Sequence, residues 1–195
     1  MHMGSRKLSG LFGGVALCFL LISLAQAAEF SAVIVNKSGG HEMQGKIYVK
    51  GDKIRQEFST PGGTTVSIVR GDKKVMWMLL PGKQAFMERP YDKEALSKNL
   101  NLPKDEVTRK LVGTETLNGY ATDKYETSVK TGTEVLQGTM WVAKKLGFPI
   151  RIETADKSFI KEYKDIKEGG VDDAVFEIPA GYQRMTMPAG MPPMK

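Results

Sequence analysis

Eleven methionines, two histidines and one cysteine set the side-chain chemistry open to this chain of 195 residues. Thioether sulfur suits a soft ion such as Cu(I) or Ag(I). Met76 and Met78 fall two apart in an extended run, Met140 lies in a second apolar segment, and Met185, Met187, Met191 and Met194 punctuate the tail. Methionine is equally the adaptable filler of cores and permissive binding surfaces. With His41 the one imidazole after residue 2, a metal centre lacks its usual harder donors, so neither metal nor cofactor is expected. His41 itself sits in the glycine-rich stretch KSGGHEMQ, where an exposed side chain is expected.

Catalytic constellations are thinner still. Cys18 belongs to an N-terminal apolar run and residues 28–195 hold no cysteine, which removes thiol chemistry and disulfides and leaves His41 alone for any serine–histidine pair. Asp105-Glu106 and Asp172-Asp173 are adjacent carboxylates, but neighbours on a strand point to opposite faces, so turn and solubility roles are expected. No phosphate loop, calcium loop or nucleophile elbow is present. The expectation is a protein that is not an enzyme.

These residues must be positioned by an exported domain. Arg6 and Lys7 precede the apolar run LFGGVALCFLLISLA and the small-x-small site Ala25-Gln26-Ala27, which reads as a signal peptide over residues 1–27, cut near Ala27, and hence a periplasmic location. Residues 28–184 are expected to form one domain and 185–195 a frayed Met- and Pro-rich tail. The formal charge of +6 falls to +4 without Arg6 and Lys7. Its lysines are dispersed among acids, which with export argues against a nucleic-acid partner.

From Phe30 onward, short β-branched and aromatic segments alternate with turn residues. EMQGKIYVK sets Met43, Ile47 and Val49 on one face and Gln44, Lys46 and Lys50 on the other. Tight turns are expected at Gly51-Asp52, Pro61-Gly62-Gly63, Gly71-Asp72, Pro81-Gly82 and Asn118-Gly119. Connections this short require antiparallel neighbours. One short helix is expected over YDKEALSKNLNLP, with Asp92 as N-cap, Leu96 and Leu100 on one face and Pro103 as its stop. DDAVFEIPAGYQRM is expected to be an extended strand followed by a turn.

The run KVMWMLLPGK is apolar on both sides: Val75, Trp77 and Leu79 alternate with Met76, Met78 and Leu80. TEVLQGTMWVA behaves alike, with Val135 and Trp141 opposed to Leu136, Met140 and Val142. An antiparallel strand tolerates two apolar faces only when both are covered. Arg55 and Arg151 lie opposite their apolar neighbours and are expected in surface salt bridges.

GKIYVKGDKIRQEF, SIVRGDKKVMWMLLPGKQAF, GTETLNGYATDKY, WVAKKLGFPIRIE and AVFEIPAGYQRM, in this order, resemble the lipoprotein-localisation-factor (LolA/LolB-like) superfamily over residues 30–187. The resemblance implies a mostly β fold: a curved antiparallel sheet forming an incomplete half-barrel, with one short covering helix and an apolar cavity for acyl chains. It implies a monomer whose cavity draws on Met76, Trp77, Met78, Leu80, Phe86, Leu96, Leu100, Met140 and Trp141. Gly51-Asp52 stands where the carriers have a basic residue and proline, and no long first helix precedes the first strand. That points to a simpler exported relative that binds lipid or lipoprotein acyl chains rather than a latched carrier. An envelope protein partner on the same apolar face is the alternative, with soft-metal binding behind it.

Overall fold

The computed structural model describes residues 28–60, 62–91, 107–131 and 134–185. Twelve strands follow one another: β1 Glu29–Ser38, β2 His41–Lys50, β3 Lys53–Thr60, β4 Gly63–Arg70, β5 Val75–Leu80, β6 Ala85–Pro90, β7 Val107–Leu117, β8 Tyr120–Thr131, β9 Glu134–Ala143, β10 Phe148–Thr154, β11 Phe159–Glu168 and β12 Gln183–Arg184. They form one sheet in the order β12-β6-β5-β4-β3-β2-β1-β11-β10-β9-β8-β7. Short hairpins make sequence neighbours into spatial neighbours within β1–β6 and within β7–β11, so two meanders rather than the one expected meet where β1 pairs with β11. Every pair is antiparallel except the two-residue contact of β12 with β6. His41 opens β2 with an exposed side chain rather than lying in the preceding loop.

The sheet curls without closing into a barrel. Asn118 and Gly119, at φ 50° and 81°, make the left-handed two-residue turn between β7 and β8. That turn reaches back over the sheet. The Tyr120 hydroxyl donates to Glu168 at 3.0 Å, although β8 and β11 are separated in the sheet by β9 and β10. Flat strands at that separation would stand about 14 Å apart.

Bulges and glycines supply the bend. Register slips occur between Ser31 and Val33 on β1, Leu111 and Gly113 on β7, and Pro149 and Arg151 on β10, and each extra residue increases local twist. Asp165, at φ 50°, is the extra residue opposite the first slip. Gly45 on β2 and Gly138 on β9 face into the curve, where a Cβ would strike the carbonyl oxygens of Glu57 and Glu153 respectively.

Both faces are buried over part of their area. The inner face packs Phe30, Ile34, Ile47, Val49, Ala143, Leu146, Ile150 and Tyr163 into one core. Phe148 stands edge-on to Phe30 at 5.2 Å, and Leu117 and Tyr120 of the hairpin tip pack against the same core. The outer face packs Val66, Ile68, Trp77 and Leu79 against Val171 and Phe176 of the C-terminal segment.

That segment corrects one expectation. DDAVFEIPAGYQRM is not an extended strand: Asp173–Phe176 is a 3-10 turn whose Asp172 accepts the Ala174 N–H at 2.9 Å, and β12 follows only after Pro179 and Gly181. A capping aspartate nucleates a turn, and Gly181 at φ 86° breaks the alternation a strand needs. The segment is a strap, pinned by Lys50 to the Val171 carbonyl at 3.1 Å and by Arg55 to the Val175 carbonyl at 2.9 Å. The helix expected over 91–103, the leader over 1–27 and the tail beyond Met185 lie outside the described residues. No helix among the described residues is long and apolar enough to cross a membrane.

Candidate ligand-binding face

Cross-strand pairing places Met76, Met78 and Leu80 of β5 on the inner face, beside Val69 and Ser67 of β4 and Met87, Arg89 and Ala85 of β6. Met78 stands opposite Met87, and Met76 opposite Arg89. Together Met76, Met78, Met87 and Arg89 line a hollow of about 10 Å³, room for a single water at most. The three methionines are half-buried, as are Val69 and Leu80. This wing of the inner face therefore presents apolar side chains to its open side, with no acyl-sized cavity enclosed at the hollow.

Of the nine side chains expected to share a cavity, the seven among the described residues do not fall on one surface. Met140 is on the inner face too, paired with Ile152 on one side and Tyr125 on the other, but on the opposite wing from Met76. Trp77 and Phe86 belong to the outer face under the strap. Trp77 is buried, donates its indole N–H to Glu88 at 3.0 Å and carries Lys73 over its ring at 5.4 Å. Trp141 takes the opposite side of β9 from Met140, between Lys124 at 5.0 Å and Arg151 at 5.2 Å, with its indole N–H donated to Glu115. Leu96 and Leu100 lie outside the described residues. Among the described methionines, Met76, Met78 and Met87 converge, beside Arg89.

Charges on the outer face serve the strap. Arg70, almost fully buried, holds Asp72 at 2.6 Å and reaches Glu177 of the strap. Lys50 and Lys53 both pair with Asp173, at 2.9 and 2.7 Å. Hydrogen bonds from these cations hold Asp72 and Asp173 down at about 2. Arg55 pairs with Glu57 at 2.6 Å and Arg151 with Glu153 at 2.7 Å, both bridges partly buried rather than on the open surface expected of them.

Two inner-face residues escaped the sequence reading. Lys161 of β11 lies opposite Asn36 of β1 and Ile152 of β10. Burial holds its ammonium below the ordinary lysine range, and burial pushes the neighbouring Tyr163 phenol up to about 12. The Asn36 side-chain oxygen is buried with no hydrogen-bond partner among the described residues. The signal was available: alternation through FIKEY sets Lys161 between Phe159 and Tyr163, on the apolar side of its strand.

The family model described as a domain of unknown function, DUF4412, matches residues 33–147, more than half of the chain. The chain belongs to the DUF4412 family. No curated protein matches it. Among solved structures, an uncharacterized conserved protein from Thermus thermophilus is similar at 14% identity and TM-score 0.61, over 89% of this chain and 99% of that one. The MucA/MucB complex of Pseudomonas aeruginosa matches at 14% identity and TM-score 0.53, over 91% of this chain but 66% of that chain. MucB alone matches at TM-score 0.51 and 14% identity, over 86% of this chain and 64% of that one. This DUF4412 chain thus spans about two thirds of the MucB length it matches. At such identities the likeness is one of fold alone.

Proposed function

We propose that this protein is exported to the periplasm and binds an apolar ligand, a lipid or the acyl chains of a lipoprotein, on the inner face of its curled sheet, without catalysing a reaction. The observation that carries the reading is the unequal covering of two apolar faces. The strap lies over Trp77 and Leu79, whereas on the other side of the same strand Met76, Met78 and Leu80 stay half-exposed beside Met87 and Val69. Apolar surface held open on a concave wall is what a permissive site for flexible chains requires, and methionine adapts to them. The leader read over residues 1–27 and the sequence resemblance to the LolA/LolB-like superfamily support the same reading. Native mass spectrometry of the protein purified from the envelope, followed by organic extraction, tests it. A stoichiometric lipid or acylated peptide is expected; a clean apo mass together with failure to take up an apolar fluorescent dye overturns it.

A protein partner is the second reading. Leu111 and Val112 of β7 and Val135 and Leu136 of β9 are 41–55% exposed, and exposed apolar side chains suit protein contact. Envelope pull-downs in which Leu111→Asp with Leu136→Asp removes a bound protein, from a preparation that carries no lipid, would favour it.

A further inference from the structure

Lys161 is an unanswered charge on an apolar wall. Its strand neighbours on the inner face are Phe159 and Tyr163, and its cross-strand neighbours are Asn36 and Ile152. It is half-buried, and among the described residues it makes neither ion pair nor hydrogen bond. The other lysines of β11, Lys164 and Lys167, are exposed. Directly across the ladder, Asn36 buries a side-chain oxygen that has no partner among the described residues.

Each group alone is a cost to the fold. A half-buried ammonium without a counter-charge gives up part of its hydration and regains nothing, and a buried amide oxygen without a donor does the same at smaller scale. Buried polar groups in folded chains are almost always satisfied. A buried exception at Asn36 facing an unpaired, half-buried ammonium on the adjacent strand marks a place open to a partner that the described residues do not supply. The desolvation that lowers the Lys161 proton affinity agrees with this, since no carboxylate among the described residues offsets it. An anion satisfies the ammonium directly. The Asn36 amide, turned about its last bond, presents its N–H₂ to the same anion, or it accepts from a head-group hydroxyl as it stands. Around the pair, Met43 and Phe159 are 39% and 36% exposed and Ile152 is half-buried, so the polar spot is ringed by apolar surface able to take a chain.

We propose that Lys161 and Asn36 form the seat for the anionic end of an acyl ligand, a carboxylate or a phosphate ester, with the hydrocarbon lying over Ile152, Met43 and Phe159. The inference rests on the apolar-ligand reading above and narrows its ligand class from lipids in general to amphiphiles with an anionic head.

The test is displacement of N-phenylnaphthylamine from the full exported chain by palmitate, hexadecyl phosphate and hexadecanol, each below its aggregation concentration. The two anionic compounds should displace the dye at about tenfold lower concentration than hexadecanol, the scale of one charge-assisted hydrogen bond. Lys161→Met should bring the two anionic compounds to the level of hexadecanol, with the melting temperature equal or higher, because it removes an unpaired charge and keeps the volume. Lys161→Arg should retain the preference. An anionic preference that survives Lys161→Met overturns the proposal. So does loss of that preference in wild type when inorganic phosphate is added at the concentrations effective for hexadecyl phosphate, since the seat then belongs to a free anion. Equal displacement by all three compounds in wild type sinks the seat but leaves apolar binding standing. Failure of the dye and of every competitor to bind removes the apolar-ligand reading itself.

Discussion

Asn118, at the tip of the β7–β8 hairpin, donates its side-chain amide to the Tyr163 carbonyl at 2.9 Å across a gap that two intervening strands occupy in the sheet order. The same amide reaches Glu162 at 3.0 Å. This residue therefore does two jobs: it adopts the left-handed turn conformation at φ 50°, and it ties the tip over the inner core. Asn118→Gly keeps the turn and loses the tie, while Asn118→Ala loses both. The alanine variant should be the less stable, by about 1–3 kcal/mol against wild type, with the glycine variant between them in urea unfolding. Equal stability of all three would mean the tip does not hold the curl.

The bend at β2 leads to a second prediction. A Cβ on Gly45 would stand 2.7 Å from the Phe58 ring and closer still to the Glu57 carbonyl, so the strand must straighten or the ring must leave. Gly45→Val should cost about 1–3 kcal/mol by overpacking. Gly45→Ala paired with Phe58→Leu should recover part of the loss if the ring is the obstacle, measured by thermal melting. No recovery would place the obstruction in the backbone carbonyl alone.

What was legible in the sequence is what has a local period. Alternation in EMQGKIYVK and KVMWMLLPGK announced the strands and the two apolar sides of β5, and Asn118-Gly119 announced its turn. Which side of β5 would be sealed was not legible. The strap over Trp77 and Phe86 has no period of its own, and its pins, Lys50, Lys53, Arg55 and Arg70, come from strands more than a hundred residues earlier. Taken locally, each of those cations looks like a solvated surface charge. Lys161 is the reverse case: alternation in FIKEY sets it on the side of Phe159 and Tyr163, but only the pairing shows that it faces the unpartnered Asn36 oxygen.

Acid should loosen the strap. In the fold Asp173, held by Lys53 and Lys50, and Asp72, held by Arg70, titrate at about 2 rather than at 3.8. A carboxylate depressed in this way contributes stability that is complete above its unfolded value and is lost as pH falls through the folded one. Strap anchorage should thus be constant at neutral pH and fall away between about pH 4 and pH 2. Trp77 emission in a Trp141→Phe background, read with proteolysis of residues 171–184, would follow it. Asp173→Asn should make the strap more sensitive to protease already at pH 7. Release near pH 6 would point to a different group.

The sharpest prediction separates the two faces of one strand. Trp77 is sealed beneath Val171 and Phe176, with its indole N–H bonded to Glu88, so Trp77→Ala opens a void in a closed core and should cost about 3–5 kcal/mol. Met78 stands on the opposite side, half-buried against Met87 and Ser67 with its surface open. Met78→Asp places a carboxylate where it keeps access to water, so folding should survive with a loss near 1 kcal/mol, roughly the centre of the distribution for point mutations. Its effect should appear in uptake of an apolar dye, which requires an uncharged inner wall. The expected pattern is a destabilised Trp77→Ala that still takes up dye below its melting temperature, and a folded Met78→Asp that does not. Equal losses of folding in both would show that β5 has one buried core around it rather than a sealed side and a working side. Dye uptake retained by a folded Met78→Asp would move the binding surface away from this wing, toward the Lys161 side of the same inner face.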